Sequence, residues 1–388
     1  MSFRAAIVSA VRTPFTRAHK GELKDTRPDT LAAIAIKEAL AQAKVSPAEV
    51  GDVIMGCAMP EAEQGMNVAR LAALLAGVPD TVPAMTVNRF CSSGVQSIAM
   101  AAQAIAAGQY DVAVAGGTES MTMIPMGGIK VSANPELMAS YPEVYTSMGA
   151  TAENIASRFG ISRADQDAFA AESQRRAASA RESGKFKAEI VPVTTRVHDE
   201  HGVPHTVTVS DDTILRPETT AEGLSKLRPA FNPQGSVTAG NASPLTDGAA
   251  AAVIMSEAKA KALGLKPLGY MIDFQVAGVP PDIMGIGPVP AVRKLLEKNN
   301  LKVSDIDVFE LNEAFAAQSL YCIRELGLDM SKVNPNGGAI SLGHPLGVSG
   351  ARMTATLLRE LERRGGKYGV VTMCIGGGMG AAALFSRT

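Results

Sequence analysis

The sequence is poor in residues that mark several common protein classes. Its 388 residues include no tryptophan, 4% aromatic residues, five histidines and four cysteines. The cysteines are Cys57, Cys91, Cys322 and Cys374. They form no Cys-x-x-Cys pair and are too sparse for a disulfide framework, which favours a reducing compartment. Three of the histidines, His198, His201 and His205, share one segment, but no cysteine or carboxylate cluster completes tetrahedral spacing there. We therefore predict a solvated hairpin tip and no bound metal.

Strong net charge and long hydrophobic runs are also missing. A net charge of −1, with 19% charged residues, gives no electrostatic reason to expect nucleic acid or an anionic membrane as the main partner. No apolar run approaches the roughly 18 residues of a transmembrane helix, and the N-terminal residues lack the apolar core of a secretory signal. We predict a cytoplasmic protein with no integral membrane segment.

The patterns that are present predict an α/β protein of two or three domains. Short apolar strands at residues 4–10, 53–59, 81–87 and 110–116 alternate with helices at 31–44, 67–76 and about 92–107. This alternation favours a layered domain with a largely parallel sheet. Residues 120–248 are richer in Met, Pro, Gly and charge, and we interpret them as a domain inserted over one end of the sheet. The α/β pattern resumes at residue 249.

The order of the elements indicates an internal duplication. In each half a strand leads through a polar break into a helix, a second strand, a polar junction and a long helix. That junction carries Cys91 in the first half and a glycine-rich loop with His344 in the second. Each long helix is followed by a strand that ends in a glycine run. If the halves face each other across a two-fold axis, Cys91 and His344 can converge on one site.

The stretch Asn88-Arg89-Phe90-Cys91-Ser92-Ser93-Gly94 opens the first long helix. We predict that Ser92 or Ser93 caps the helix, which places the Cys91 sulfur at its N-terminus. There the helix dipole and the free N–H groups favour a thiolate. The alternative is that Cys91 is a small buried apolar residue, and the motif alone leaves both interpretations open.

Three C-terminal motifs each follow a predicted strand, at the edge where α/β sheets place their ligands. They are Asn312-Glu313-Ala314-Phe315, the Gly343-His344-Pro345 loop and Cys374-Ile375-Gly376-Gly377-Gly378. Each has a structural alternative: a helix cap, a tight turn or a buried strand end. Together with Cys91 they supply a nucleophile, a base or electrophile, a second thiol, an amide donor and exposed backbone N–H groups. That combination fits acyl transfer through a thioester.

With these motifs in order, the chain resembles a thiolase of the acetyl-CoA acyltransferase, or 3-ketoacyl-CoA thiolase, kind. The resemblance runs from Arg12-Thr13-Pro14 to the terminal Cys-Ile-Gly loop and includes Gly116-Gly117-Thr118-Glu119-Ser120-Met121. It implies a five-layered αβαβα core of two duplicated halves, residues 1–119 and 249–388, with a loop domain at 120–248. It also implies a reaction, in which 3-ketoacyl-CoA and CoA give acetyl-CoA and an acyl-CoA shortened by two carbons.

The resemblance assigns roles to individual residues. Cys91 would hold the acyl group, activated by the helix N-terminus and by His344. His344 and a water held by Asn312 would bind the thioester oxygen. Cys374 would move the proton, and the backbone N–H groups of Cys91 and Gly376 would form a second oxyanion hole. The matching CoA-binding positions are Arg216 for the adenine and phosphate end, Ser243 for the pantetheine arm, and Met148 and Phe315 for the thioester channel.

A departure from the biosynthetic pattern bears on the substrate. Biosynthetic acetoacetyl-CoA thiolases carry His before Met-Gly, whereas Ser147 stands there in this chain. This favours a degradative enzyme of broader chain length, acting in fatty-acid β-oxidation, with acetoacetyl-CoA thiolase as the alternative. Two other classes are less consistent with the sequence. A ketoacyl synthase would need a second His in place of Asn312 and would lack Cys374. A non-catalytic acyl-CoA-binding protein would not need Cys91, His344 and Cys374.

The partners implied by the resemblance are CoA and 3-ketoacyl-CoA thioesters, with CoA as a substrate rather than a cofactor. Because thiolysis moves no net electrons, no redox or metal cofactor is expected. The family also implies a homodimer or homotetramer, and degradative relatives can associate with a hydratase/dehydrogenase subunit.

Overall fold

The computed structural model describes residues 4–387. The strands are β1 (Ala5–Arg12), β2 (Thr16–Arg17), β3 (Asp52–Gly56), β4 (Ala84–Val87), β5 (Val112–Ser120), β6 (Val193–His198), β7 (Pro204–Val209), β8 (Thr246–Ser256), β9 (Gly269–Gly278), β10 (Val308–Leu311), β11 (Tyr368–Ile375) and β12 (Met379–Ser386). The α-helices are α1 (Pro28–Ala43), α2 (Val68–Leu75), α3 (Ser93–Ala106), α4 (Pro135–Ser140), α5 (Met148–Arg158), α6 (Arg163–Glu182), α7 (Ala221–Ser225), α8 (Glu257–Ala262), α9 (Pro288–Lys298), α10 (Ala316–Leu326), α11 (Ala339–Leu342) and α12 (Ser349–Arg364). Short 3₁₀ turns lie at Pro47–Glu49, Ala62–Gln64, Phe90–Ser92, Pro142–Tyr145, Pro281–Ile286 and Val303–Asp305.

Most of the strands join one large mixed sheet. Its order is β4-β3-β5-β8-β1-β9-β12-β11-β10, and β2 pairs with β8. Neighbours β4–β3, β3–β5 and β10–β11 are parallel, while the pairs that involve β1, β8, β9 and β12 are antiparallel. The prediction of a largely parallel sheet is therefore wrong. The glycine turn between β11 and β12 is too short for a crossover helix, so those two strands must run in opposite directions.

Three apolar clusters define five layers, which confirms the predicted αβαβα core. The central cluster packs α3 and α12 between the two halves of the sheet, through residues such as Ile98 and Leu357. A second cluster packs α1 and α2 on the outer face of the first half, and a third packs α9 and α10 on the outer face of the second. α12 is buried on every side from Ser349 to Leu361, polar residues included, because the sheet and α3 cover it in this central position.

The two halves repeat the same order of elements, as predicted. β3, α2, β4, α3, β5, β8 and β1 correspond to β10, α10, a bridge at Val333, α12, β11, β12 and β9. The helices α3 and α12 approach closely at equivalent glycines near their N-termini. A Cβ on Gly350 would lie 2.5 Å from the nitrogen of Val95, and one on Gly94 would lie 2.9 Å from the nitrogen of Ala351. Only glycine permits this crossing, which brings both helix N-termini to the middle of the molecule.

The strand β8 corrects one predicted boundary. The sequence placed residues 249–255 in the C-terminal half, but β8 pairs with β1 and β5 and so completes the sheet of the first half. Chain order could not show this, because the inserted segment separates β5 from β8 while long-range pairing joins them. The insertion accordingly lies between Ser120 and Thr246.

The insertion carries α4 to α7 and the predicted hairpin of β6 and β7. The histidines there pair with single carboxylates: His198 Nδ1 lies 3.2 Å from Asp25 and His205 Nε2 lies 3.0 Å from Asp199. No group of three or more potential metal ligands occurs in residues 4–387. Within the same range, no helix is both long enough and apolar enough to cross a membrane.

Candidate active site

Cys91 lies at the start of α3, where the sequence predicted it. It occupies the 3₁₀ turn Phe90–Ser92 that leads into the helix, and its side chain is 7% exposed. The serines do not cap the helix, so that prediction is wrong. Ser93 Oγ accepts from the Arg89 N–H at 2.8 Å and donates to the Phe90 carbonyl at 2.7 Å, while Ser92 Oγ donates to the Arg89 carbonyl. The serines tighten the turn and leave the N–H groups near the Cys91 sulfur free of side-chain caps.

His344 is held from both sides of its ring. Its Nδ1 lies 2.6 Å from Ser349 Oγ, and its Nε2 lies 3.2 Å from Asn312 Nδ2. Ser349 Oγ also donates to the Pro345 carbonyl at 3.1 Å, which leaves it as the acceptor for an Nδ1–H proton. In that arrangement Nε2 carries the lone pair and accepts from Asn312. Asn312 Oδ1 is buried and has no hydrogen-bond partner among the described residues, which leaves an unused acceptor beside the imidazole.

Cys374 lies near the end of β11, immediately before the turn that begins at Gly376. The backbone N–H groups of Gly376 and of Cys91 itself are directed at the Cys91 thiol, which they stabilise as an anion. The two thiols interact electrostatically, since ionised Cys91 raises the pKa of Cys374 further. The end of β11 therefore supplies a second thiol and a backbone donor beside the first.

A cavity of about 450 Å³ brings most of the predicted residues together. Its lining includes Cys91, His344, Cys374, Met148, Phe315 and Ser243. Ser243 is fixed by its backbone N–H, which donates to the Ala314 carbonyl at 3.0 Å, so the insertion docks on the Asn312-Phe315 segment. Asn312 lies behind His344, fully buried.

Arg216 lies apart from this group. It lines a neighbouring cavity of about 350 Å³, which shares Arg17, Lys20 and Pro244 with the first. Of the predicted CoA-binding residues, Met148 and Phe315 pack with Cys374 in one apolar cluster, and Ser243 lines the same cavity. Arg216 lines only the neighbouring cavity, which we call the basic chamber because Arg17 and Lys20 line it as well.

The electrostatics of the site oppose the thiolate expected in the free protein. Burial raises the pKa of the Cys91 thiol to about 12, although the N–H groups of Gly376 and Cys91 act in the opposite direction. Burial also raises the pKa of Cys374 well above its ordinary value, and ionised Cys91 adds to this shift. For His344, burial and then the nearby Arg352 charge lower the pKa to about 3. All three shifts favour neutral thiols and a neutral imidazole in the resting site.

Neutral groups at these positions suit proton transfer during a reaction. A neutral His344 can accept the Cys91 proton as the sulfur attacks a bound carbonyl, and a protonated Cys374 can donate to a carbanion. Removing water from the cavity strengthens the N–H groups aimed at a developing oxyanion. The helix N-terminus then stabilises the negative charge that forms during the reaction. In the free protein, burial keeps that charge from forming on Cys91.

These pKa values predict how Cys91 responds to an alkylating agent. With a thiol pKa near 12, the thiolate fraction rises about tenfold per pH unit below that value. We expect the iodoacetamide rate at Cys91 to rise with a slope near one in log units from pH 7 to pH 9. Peptide mass spectrometry identifies the modified cysteine, and a Cys91→Ala protein gives the background. A plateau between pH 6 and pH 8 would instead demonstrate a resting thiolate–imidazolium pair.

Several residues of the site were not predicted from the sequence. Arg17, His19 and Lys20 line the catalytic cavity, and Ser349 orients His344. A signal existed for the first three, because the run Arg17-Ala18-His19-Lys20 concentrates basic residues just after the Arg12-Thr13-Pro14 turn. Ser349 gave only the weaker signal of a hydroxyl at a helix start.

The fold and the cavity together define a class: a duplicated five-layered α/β protein with two cysteines and a histidine at strand ends. Comparisons with known proteins agree. The family model for the thiolase N-terminal domain matches residues 5–258, and that for the thiolase C-terminal domain matches residues 265–387. The chain belongs to the thiolase family.

Individual relatives extend over nearly the whole chain. It is 54% identical over 385 residues to a 3-ketoacyl-CoA thiolase of Bacillus subtilis (strain 168), covering 98% of each chain. It is 49% identical over 381 residues to a peroxisomal 3-ketoacyl-CoA thiolase of Homo sapiens, covering 98% of this chain and 90% of the relative. The crystal structure of a Bacillus anthracis acetyl-CoA acetyltransferase superposes with a TM-score of 0.90 at 43% identity, covering 99% of both chains.

Proposed function

We propose that this protein cleaves 3-ketoacyl-CoA with CoA to give acetyl-CoA and a shortened acyl-CoA. The observation that carries the proposal is the shared cavity of Cys91, His344 and Cys374, with a largely apolar lining between them. Relatives named 3-ketoacyl-CoA thiolase, at 49% to 54% identity, support the same reaction. The reaction is reversible, and its reverse is a Claisen condensation of two thioesters.

The first half-reaction forms an acyl-enzyme. Cys91 Sγ attacks the 3-keto carbon of the substrate while its proton passes to His344 Nε2. The resulting alkoxide collapses, the bond between carbons 2 and 3 breaks, and the acyl group stays on Cys91. Cys374 donates its proton to carbon 2, which releases acetyl-CoA and leaves Cys374 as a thiolate.

The second half-reaction returns the protein to its starting state. The Cys374 thiolate takes the proton from an incoming CoA thiol, whose sulfur attacks the acyl group on Cys91. The bond between the acyl carbon and Cys91 breaks, and the proton held by His344 returns to Cys91. All three groups are then neutral again, as burial favours in the free protein.

Two sets of donors stabilise the oxyanions in this scheme. The N–H groups of Cys91 and Gly376 face the Cys91 sulfur. In the acyl-enzyme they bind the carbonyl oxygen of the acyl group that this sulfur holds. His344 and a water on the unpartnered Asn312 Oδ1 bind the thioester oxygen of the departing enolate. One such donor typically contributes about 3 kcal/mol to transition-state stabilisation.

The CoA portion extends from the thiols towards the basic chamber. We assign Met148 and Phe315 to the thioester end, Ser243 to the pantetheine arm and Arg216 to the phosphate and adenine end. In support, the first three line the catalytic cavity and Arg216 lines the basic chamber. Arg17 and Lys20 line both cavities and add positive charge along this path. CoA is a substrate here, and the scheme requires no separate cofactor.

The acyl-chain preference separates the two candidate roles. Met121, Met126, Leu245 and Leu346 add flexible apolar surface to the catalytic cavity, which favours longer ketoacyl chains and a degradative role in β-oxidation. The structural neighbour named acetyl-CoA acetyltransferase supports the alternative, an enzyme for acetoacetyl-CoA. The proposal also includes a homodimer or homotetramer, a cytoplasmic location and the capacity to associate with a hydratase/dehydrogenase subunit.

Steady-state thiolysis across chain lengths tests the proposal. We expect kcat/KM for a C8–C16 3-ketoacyl-CoA to exceed that for acetoacetyl-CoA by about tenfold or more, since each buried methylene adds favourable binding energy. Loss of the 3-ketoacyl-CoA absorbance measures the rate. A preference for acetoacetyl-CoA would assign the biosynthetic role, and absence of thiolysis with every chain length would refute the reaction itself.

A further inference from the structure

The carboxylate of Glu119 lies behind the active site and has no role in the scheme above. It is buried at the end of β5, and none of its hydrogen-bond donors is a lysine or arginine. Burial raises its pKa, although hydrogen bonds from backbone N–H groups and from Gln64 oppose the shift. A buried carboxylate without a cationic partner is costly, so the contacts that retain it call for an explanation.

Glu119 joins two chain segments that come from different halves of the molecule. Its Oε2 accepts from the Gly347 N–H at 2.7 Å and from the Ala58 N–H at 2.8 Å. Its Oε1 accepts from the Met59 N–H at 3.2 Å and from Gln64 Nε2 at 2.8 Å. All of these partners are hydrogen-bond donors, so both oxygens must act as acceptors, as they do in an ionised carboxylate.

Both segments support the reacting groups. Gly347 ends the loop that carries His344, and Leu346 beside it packs with Cys91 and Ala58 in one apolar cluster. Glu119 therefore fixes the far end of the His344 loop against the wall behind Cys91. The near end is fixed separately, by a bond from the His344 N–H to Thr246 Oγ1 at 3.1 Å.

The duplication shows what Glu119 replaces. The equivalent glycines Gly94 and Gly350 lie 256 residues apart (350 − 94). The ladders β3–β5 and β10–β11 keep the same spacing. Gly56 pairs with Gly117, and adding 256 to both numbers gives 312 and 373, which directly follow the observed pair Leu311 and Thr372. By this spacing the counterparts are Gly347 for Cys91, Thr118 for Cys374 and Glu119 for Ile375.

The end of β5, together with Gly347 from the second half, thus forms an inactive copy of the strand-end site. The Gly347 N–H corresponds to the Cys91 N–H, which lies at the reactive sulfur in the catalytic copy. In the inactive copy that donor is bound by a protein carboxylate, so no ligand can use it. Binding the donor internally converts this junction from a reaction site into a support for the opposite one.

We infer that Glu119 is a positioning residue that locks the His344 loop, through Gly347, for the step in which the bond between carbons 2 and 3 breaks. The inference rests on the proposed thiolysis, because that step requires His344 at the thioester oxygen. It assigns no contact between Glu119 and the substrate. Its effect is to hold an imidazole to within the fraction of an ångström that such a step demands.

The variant Glu119→Gln tests this role, since it keeps the shape but replaces one acceptor oxygen with an NH₂ group that faces N–H donors. We expect kcat for thiolysis to fall about 10²-fold while KM for CoA changes by less than about twofold. The alkylation rate of Cys91 should stay equal or rise, because the Glu119 charge disfavours the Cys91 thiolate in the native protein. Labelling of Cys322, which is buried and does not line the catalytic cavity, reports any general loosening.

Asp307→Asn is the matched control. Asp307 Oδ2 also accepts two backbone N–H groups, from Lys367 at 2.7 Å and Tyr368 at 3.0 Å, but between the other ends of β10 and β11. We expect its kcat to stay within about twofold of the native value. If Glu119→Gln does not fold, Glu119→Asp carries the same test, because its shorter side chain cannot reach Gly347 and Ala58 together.

Hydrogen–deuterium exchange supplies a readout independent of activity. The peptide containing residues 343–347 should exchange faster in Glu119→Gln than in the native protein or in Asp307→Asn. Any one of four results would overturn the inference. They are a kcat within threefold of native, a parallel loss of Cys91 alkylation, a rise in KM alone, and unchanged exchange of the loop. If the native protein does not thiolyse any substrate, the proposed function fails, and the exchange result still decides whether Glu119 locks the loop.

Discussion

Replacing Cys91 with alanine is expected to lower kcat/KM for thiolysis by about 10⁴-fold or more, since the residual reaction has no sulfur to hold the acyl group. The same substitution should abolish the covalent acyl-enzyme that intact-protein mass spectrometry detects after incubation with acetyl-CoA. Cys91 is buried in the turn that opens α3, so its removal also deletes a small apolar group from the Ala58–Leu346 cluster. Circular dichroism separates a catalytic loss from a folding defect.

Cys322→Ala provides the control for this experiment. Cys322 is also buried, but it lies in α10 with its sulfur 3.3 Å from the Gly285 carbonyl and outside the catalytic cavity. Its substitution should leave kcat/KM within about twofold, with a modest loss of stability. A Cys91→Ala protein that retains near-native thiolysis would disprove the assignment of the nucleophile.

Replacing Cys374 with alanine is expected to slow turnover by about 10² to 10⁴-fold while the acyl-enzyme still forms from acetyl-CoA. The two outcomes differ because the leaving groups differ. A CoA thiolate is a weak enough base to leave acetyl-CoA even without the Cys374 proton, whereas the carbanion released from a 3-ketoacyl-CoA needs that proton. The buried thiol holds that proton at neutral pH, because burial and the Cys91 charge raise its pKa.

The measurement pairs acyl-enzyme formation with steady-state turnover for the same protein. Covalent labelling by acetyl-CoA near the native rate, with slow thiolysis of 3-ketoacyl-CoA, supports the division of roles between the two cysteines. Loss of labelling in Cys374→Ala would show that this residue is needed for the first attack. Equal thiolysis rates in the variant and the native protein would remove Cys374 from the mechanism.

Much of the fold was readable from local sequence patterns. The strand at residues 4–10 and the helices around 31–44 and 92–107 appear in the structure within a few residues of their predicted ends. The junction that carries Cys91 was also found, because an apolar strand followed by small polar residues and an alanine-rich helix is a local pattern. The sheet was harder to predict, because β5 and β8 lie side by side although their paired residues Ser120 and Asp247 are 127 positions apart in the chain (247 − 120).

The chemical state of the site depended on the whole molecule. A helix start predicted a Cys91 thiolate, yet burial among residues from both halves and the insertion raises its pKa to about 12. Ser349 and Glu119 support His344 through bonds to the ring and to the loop. Neither support shows in a periodic pattern, because side-chain contacts between distant segments leave no regular spacing in the chain.

The sequence by itself determined which reactive residues the protein has and which strand ends carry them. Hydrophobic periodicity and turn residues act over a few positions, so they specify each element and the residue at its end. Tertiary structure decided which of those ends meet, which groups stay neutral and which junction became inactive. These three outcomes depend on desolvation and on pairing between distant segments. Both effects require the two halves to lie close together, which the packing of α3 against α12 achieves.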